Sequence, residues 1–119
     1  MDRILLFIDA FVRSGEVNDP GASVPFLATT MERYYSQRNP TRSFLLKDRS
    51  DYIARWPQRR YWLLETPRFI DAGDGIYQLA AKMGYEVRNG SQEKDGTTEL
   101  RMVIVETPQG LKLMAVSEK

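Results

Sequence analysis

The chain has 119 residues, of which 42% are apolar and 28% charged, with 17 Lys and Arg against 16 Asp and Glu for a formal net charge of +1. That length corresponds to one domain, and it can bury a core without a disulfide or metal staple. The absence of cysteine and histidine excludes disulfides, thiolate chemistry, a Ser-His-Asp triad, an imidazole base and Cys or His metal ligands.

Carboxylates, Lys, Tyr, Ser and Thr are what remain for catalysis. The composition therefore favours a non-enzymatic protein, with no cofactor and no metal expected. The longest apolar run near the start, Ile4 to Ile8, is too short to cross a bilayer or to serve as a secretory core. No membrane partner is expected, and the default location is cytoplasmic.

In chain order, residues 2–14 are predicted to form an amphipathic helix. Met1, Ile4, Leu5, Ile8, Phe11 and Val12 recur at helical spacing, and Gly15 is placed to stop it. A strand over Ile4–Ile8 is the competing reading, but the period persists to Val12. The segment Glu16–Ala22 is turn-rich. Ser23 can cap a second helix over 24–38, with Pro25 in its first turn and Asn39-Pro40 ending it. Ser43–Lys47 reads as a short strand.

A third helix starts at Asp48 or Ser50 and breaks at Pro57, whose ring clashes with the carbonyl four residues earlier. Beyond it, 57–64 continues as helix, or 61–65 is a strand. Asp74 can cap a helix to Met83 that Gly84 would stop. The alternative is a pair of strands, Arg68–Ile70 and Ile76–Leu79, around the intervening Gly-rich turn. Helix propensity over Gln78–Met83 favours the helix.

Tyr85–Arg88 is predicted as a short strand and Asn89–Thr98 as a mobile loop. The firmest feature is a C-terminal hairpin, Glu99–Glu106 and Leu111–Ser117, turned by Thr107-Pro108-Gln109-Gly110. Both faces of this hairpin are partly apolar, so it is expected to be covered on more than one side.

The predicted fold class is thus α+β, with N-terminal helices followed by a C-terminal antiparallel hairpin, in a winged-helix-like order. The last hairpin takes the wing position and 74–83 the recognition-helix position. The stretch Arg68–Leu79, with its Gly-x-Gly turn and following Tyr-x-Leu, also looks like the wing of small winged-helix modules.

Charge and aromatics concentrate between Arg33 and Arg68. This stretch holds nine basic residues against three acidic ones, and seven of the 13 aromatic residues. At its centre stands Arg55-Trp56-Pro57-Gln58-Arg59-Arg60-Tyr61-Trp62. Arginine forks match phosphate oxygens, and an exposed Trp can stack an unpaired base. The expectation is a small nucleic-acid-binding domain, for DNA or RNA, using Arg38, Arg42, Arg49, Arg55, Trp56, Arg59 and Arg60. The alternative is an inhibitor or adaptor that docks an acidic protein, since Arg, Tyr and Trp also dominate protein hot spots. A blander arrangement would place Tyr52, Trp56, Tyr61 and Trp62 in the core, with arginine stems covering their edges.

A second pattern is carboxylate. Asp9 follows Leu5-Leu6-Phe7-Ile8, and Asp71 and Asp74 sit in Phe-Ile-Asp-Ala-Gly-Asp-Gly. Over about twenty residues this resembles the PIN/NYN-type nucleases. The resemblance implies Mg²⁺-dependent phosphodiester cleavage on these aspartates. It lacks that family's usual Asn after the first aspartate and its Asp after Gly75. A structural role, with Asp74 as a cap and Asp71 in a turn, is the favoured reading.

Overall fold

The computed structural model describes residues 3–118. Its elements are helix α1 (Arg3–Ser14), a 3₁₀ turn (Val24–Phe26), strands β1 (Arg33–Tyr34) and β2 (Gln37–Arg38), helix α2 (Arg42–Arg55), and strands β3 (Gln58–Leu63), β4 (Arg68–Gly73), β5 (Ile76–Asn89), β6 (Gln92–Thr107) and β7 (Gly110–Glu118). The strands form one seven-stranded sheet in the order β2-β1-β7-β6-β5-β3, with β4 also pairing β5. All pairings are antiparallel except β1 with β7, which is parallel.

Helix α1 forms as its periodicity dictates, with Ile4, Ile8 and Val12 buried along one stripe. Met1 and Asp2, which belong to the predicted element, lie outside the described residues. Each buried aliphatic side chain contributes about 1.5–3 kcal/mol. These three residues pack with Leu45 of α2 and with Leu79, Ala81, Met83, Leu100, Met102, Ile104, Leu113 and Val116 of the sheet. Both helices therefore cover the same face of the sheet, here called the inner face. Ile104, Leu113 and Val116 are fully buried there.

The C-terminal hairpin expected from the sequence is present within β6 and β7, but the strands around it are much longer than predicted. β5 and β6 pair continuously from Ile76↔Val105 to Asn89↔Gln92. The predicted loop over Asn89–Thr98 is therefore mostly strand, turned at Gly90, which has φ +61°. The predicted helix over 74–83 is the first part of β5. Here the alternative pair of strands is the correct one, because Leu79, Ala81 and Met83 alternate into the core while Gln78 and Lys82 face out. Register slips at Val103/Ile104 and at Asp71/Gly73 mark local bulges.

The second predicted helix is absent. Pro25 lies in a single 3₁₀ turn, and Ser23 makes no capping bond. Instead Ser23 Oγ pairs with Ser14 Oγ at 2.9 Å. The segment 33–38 folds as the two-stranded β1–β2 ribbon, with Tyr35 at φ 55°. α2 begins earlier than predicted, capped by Thr41, whose side chain accepts from Phe44 N. It ends before Pro57, and β3 follows where a helical continuation was the first expectation.

The winged-helix-like reading is thus corrected. No recognition helix occupies 74–83, and the final hairpin is the centre of a seven-stranded sheet rather than a wing. The PIN/NYN resemblance fails on the same ground. Asp9 lies on the exposed side of a helix, not after a strand, while Asp71 and Asp74 sit at the β4–β5 hairpin turn. Asp71 Oδ1 accepts there from Gly73 N, and Asp74 has φ 57°. No group of three or more metal-capable side chains occurs among the described residues. No described helix is long and apolar enough to cross a membrane.

Candidate functional site

The two helices and the inner face of the sheet flank a half-open cavity of about 520 Å³. α1 contributes its last turn, with Phe11, Val12 and the following Gly15. α2 contributes Phe44, Asp48, Arg49, Tyr52 and Arg55, at i, i+4, i+5, i+8 and i+11 and so on one side of the helix. Only Leu45 of α2 is buried, so this helix closes the cavity more than it packs the core. Tyr34, Tyr35 and Ser36 enter from the β1–β2 ribbon, while Tyr61, Met83, Tyr85, Thr98 and Leu100 come from the long strands.

Local backbone features aim these side chains. Tyr35 adopts a left-handed conformation rare for a bulky residue. Its amide donates to the Val116 carbonyl at 2.7 Å, and its ring meets Tyr34 edge-on at 4.8 Å between centroids. Tyr85 stands opposite Gly96, where a Cβ would fall 2.9 Å from its hydroxyl. Glycine at 96 leaves the phenol room to lie across β6. Gly15 leaves space in the same way for the Tyr61 ring.

The electrostatics of the cavity centre on Arg49. Burial pushes the Tyr34, Tyr35 and Tyr61 phenols up, and in each case the Arg49 charge opposes the rise. These three phenols are therefore neutral hydroxyls at ordinary pH. Arg49 Nη2 reaches the Gly15 carbonyl at a long 3.4 Å, while its buried Nε has no hydrogen-bond partner.

The residues expected to bind a polyanion are distributed differently from one surface patch. Arg49, Arg55 and Trp56 come together in the cavity wall, with the Arg55 guanidinium 5.6 Å from the Trp56 ring centroid. Arg38 and Arg42 are exposed on β2 and at the start of α2, outside it. Arg59 and Arg60, adjacent on β3, point to opposite faces. Arg60 is exposed and stands opposite Glu86. Arg59 is only 5% exposed, and its guanidinium donates to the carbonyls of Gly15, Trp56 and Val17 and to Asn18 Oδ1. Its donors are spent on holding the 15–18 turn against β3.

Tyr34, Tyr35 and Tyr85 were not singled out from the sequence as site residues. Four of the five cavity tyrosines do lie inside the aromatic-rich 33–68 stretch, so the signal was there in composition. What composition lacked was the pairing of that stretch with residues 83–100.

This arrangement, two helices on one face of a mixed seven-stranded sheet, is the NTF2-like fold. By sequence alone the chain matches no protein-family model and no curated protein. By structure it is similar to an NTF2-like superfamily protein from Salmonella enterica, with a TM-score of 0.84 at 14% identity over 98% of this chain and 87% of that one. A candidate scytalone dehydratase from Novosphingobium aromaticivorans gives a TM-score of 0.82 at 10% identity, over 98% of this chain and 80% of the other. A candidate aromatic-ring hydroxylase from the same organism gives 0.84 at 10% identity, over 99% and 87%. The first of these is described as NTF2-like, and none of the three is described as a nucleic-acid-binding domain. The expectation of a winged-helix nucleic-acid-binding module, inferred from the Arg-rich stretch, is overturned by this fold.

Proposed function

We propose that this chain binds a small ring-containing molecule in the cavity between its helices and the inner sheet face, and that the cavity supports proton transfer on that molecule. The observation that carries this reading is the set of five tyrosines, Tyr34, Tyr35, Tyr52, Tyr61 and Tyr85, which with Trp56 surround a space of about 520 Å³. Small-molecule sites commonly measure roughly 300–1,000 Å³ and combine aromatic walls with a few polar groups. Flat rings fit between the aromatic faces, and hydroxyl tips fix the orientation of a ligand oxygen.

Without histidine, acid–base chemistry must come from tyrosines and carboxylates. Protonated Tyr34, Tyr35 and Tyr61 are donors suited to a carbonyl oxygen on which charge develops. The cavity wall holds two carboxylates, Asp48 and Glu118, as candidate proton acceptors. The names of the neighbouring candidate dehydratase and aromatic-ring hydroxylase agree with a small-molecule enzyme class.

Calorimetric titration with 2-naphthol and 1-tetralone tests the reading. Binding is expected in the wild type and lost in Thr98→Trp, which fills the cavity from β6. Affinity unchanged by Thr98→Trp, in a variant that still folds, would contradict the proposal.

A further inference from the structure

The lining of the cavity contains one unmet electrostatic demand. Arg49 projects from α2 into a wall of phenols, and its guanidinium offers five N–H donors. One of them makes the long contact to the Gly15 carbonyl, the guanidinium also hydrogen-bonds the Tyr34 hydroxyl, and Nε is buried with no acceptor. Among the described residues no carboxylate comes within ion-pair distance of it. Its neighbour Asp48 also lines the cavity but makes no such pair. The whole lining carries three cations, Arg49, Arg55 and Lys94, against two carboxylates, Asp48 and Glu118.

A partly desolvated guanidinium without a counter-ion is unfavourable, and a bound anion relieves it through charge-assisted bonds. We infer that the ligand carries an anionic oxygen, most simply a carboxylate on an aromatic body, and that Arg49 receives it with the Tyr34 and Tyr35 hydroxyls beside it. This rests on the cavity-binding reading and narrows it to a small aromatic acid. The surrounding phenols are consistent, because burial keeps them protonated and hence able to donate to an anion. The Tyr61 hydroxyl meets Tyr52, and these two rings bound the space for the ligand body.

A matched pair of probes separates the anion from the ring. 2-Naphthoate and 2-naphthamide share size and shape and differ in charge. Calorimetry on the wild type is expected to give roughly tenfold or greater preference for the naphthoate, the usual return on a charged hydrogen bond in a partly buried site. Arg49→Gln is expected to abolish the preference, lowering naphthoate affinity about tenfold or more and naphthamide affinity by clearly less. Arg49→Lys, which keeps the charge without the planar fork, is expected to retain part of it, and decides the matter should Arg49→Gln not fold.

Equal binding of the two probes to the wild type would overturn the anion inference and leave the cavity reading standing. A preference that survives in folded Arg49→Gln would overturn the assignment to Arg49. Failure of both probes to bind, alongside failure of 2-naphthol and 1-tetralone, would overturn the cavity reading itself.

Discussion

Arg59 Nε donates to the Gly15 carbonyl at 2.8 Å, tying the end of α1 to the start of β3 across 44 residues of chain. Arg49 of α2 reaches the same carbonyl from the cavity side, so this one oxygen lies where both helices and the sheet meet. Replacing Arg59 with Ala strands the Val17 and Trp56 carbonyls in a half-buried setting, leaves the Gly15 carbonyl only the long Arg49 contact, and removes the packing of the stem. The expected loss is about 3 kcal/mol or more by urea denaturation, against less than about 0.5 kcal/mol for Arg60→Ala on the exposed face. Equal effects for the two would show that the buried clamp carries no stability.

Trp62 lies on the outer face directly over Gly84, where an added Cβ would fall 2.4 Å from the indole. Gly84→Ala must lift the ring, so it is expected to cost about 1–3 kcal/mol and to shift Trp fluorescence to the red. Trp62→Ala should make Gly84→Ala nearly neutral, since the clash is then gone. Additive losses in the double mutant would place the cost elsewhere.

Gly84 also shows why part of the fold was hidden in the sequence. Following Gln78–Met83, it reads as a helix stop, and its actual role as a seat for Trp62 depends on a residue 22 positions away. Helix propensity was overridden by cross-strand packing on both sides of β5. α1 and the C-terminal hairpin were legible because their apolar periods are local. α2 was legible only in its second half, from Asp48 to the break before Pro57; its first half reads as a strand over Ser43–Lys47 because the helix buries Leu45 alone and presents polar residues to a cavity. Of the candidate site, the tyrosine-rich stretch and Arg49 were visible as composition. Their convergence with Met83, Tyr85 and Thr98 required the long β5–β6 register, which no short window contains.

Ile104 is fully buried between the helices and the neighbouring strands. Ile104→Asp places an unpaired carboxylate there and is expected to destabilise by roughly 3 kcal/mol or more. Thermal unfolding checks this, and a melting temperature within a degree or two of wild type would mean that the β6–β7 hairpin is dispensable.

The buried phenols predict a distinctive alkaline response. Tyr34, Tyr35 and Tyr61 are raised by burial above the ordinary value near 10, and the unfolded chain ionises at that ordinary value. Above about pH 10 the native state therefore binds more protons than the unfolded state. Their contribution to stability is complete below that pH and is lost as pH rises through the raised native values. Tyrosinate absorbance should accordingly rise in two stages, the second coinciding with loss of circular dichroism. A single smooth titration of all six tyrosines with the fold intact would contradict the buried arrangement.

The most direct test of the account is the place where a ring compound binds. Intermolecular NMR contacts from 2-naphthol are predicted to reach the side chains of Tyr61, Met83, Tyr85, Thr98 and Leu100, which face the cavity. Contacts confined instead to Trp62, Leu64, Phe69 and Ile70, the exposed large apolar residues of β3, β4 and the turn between them, would contradict it.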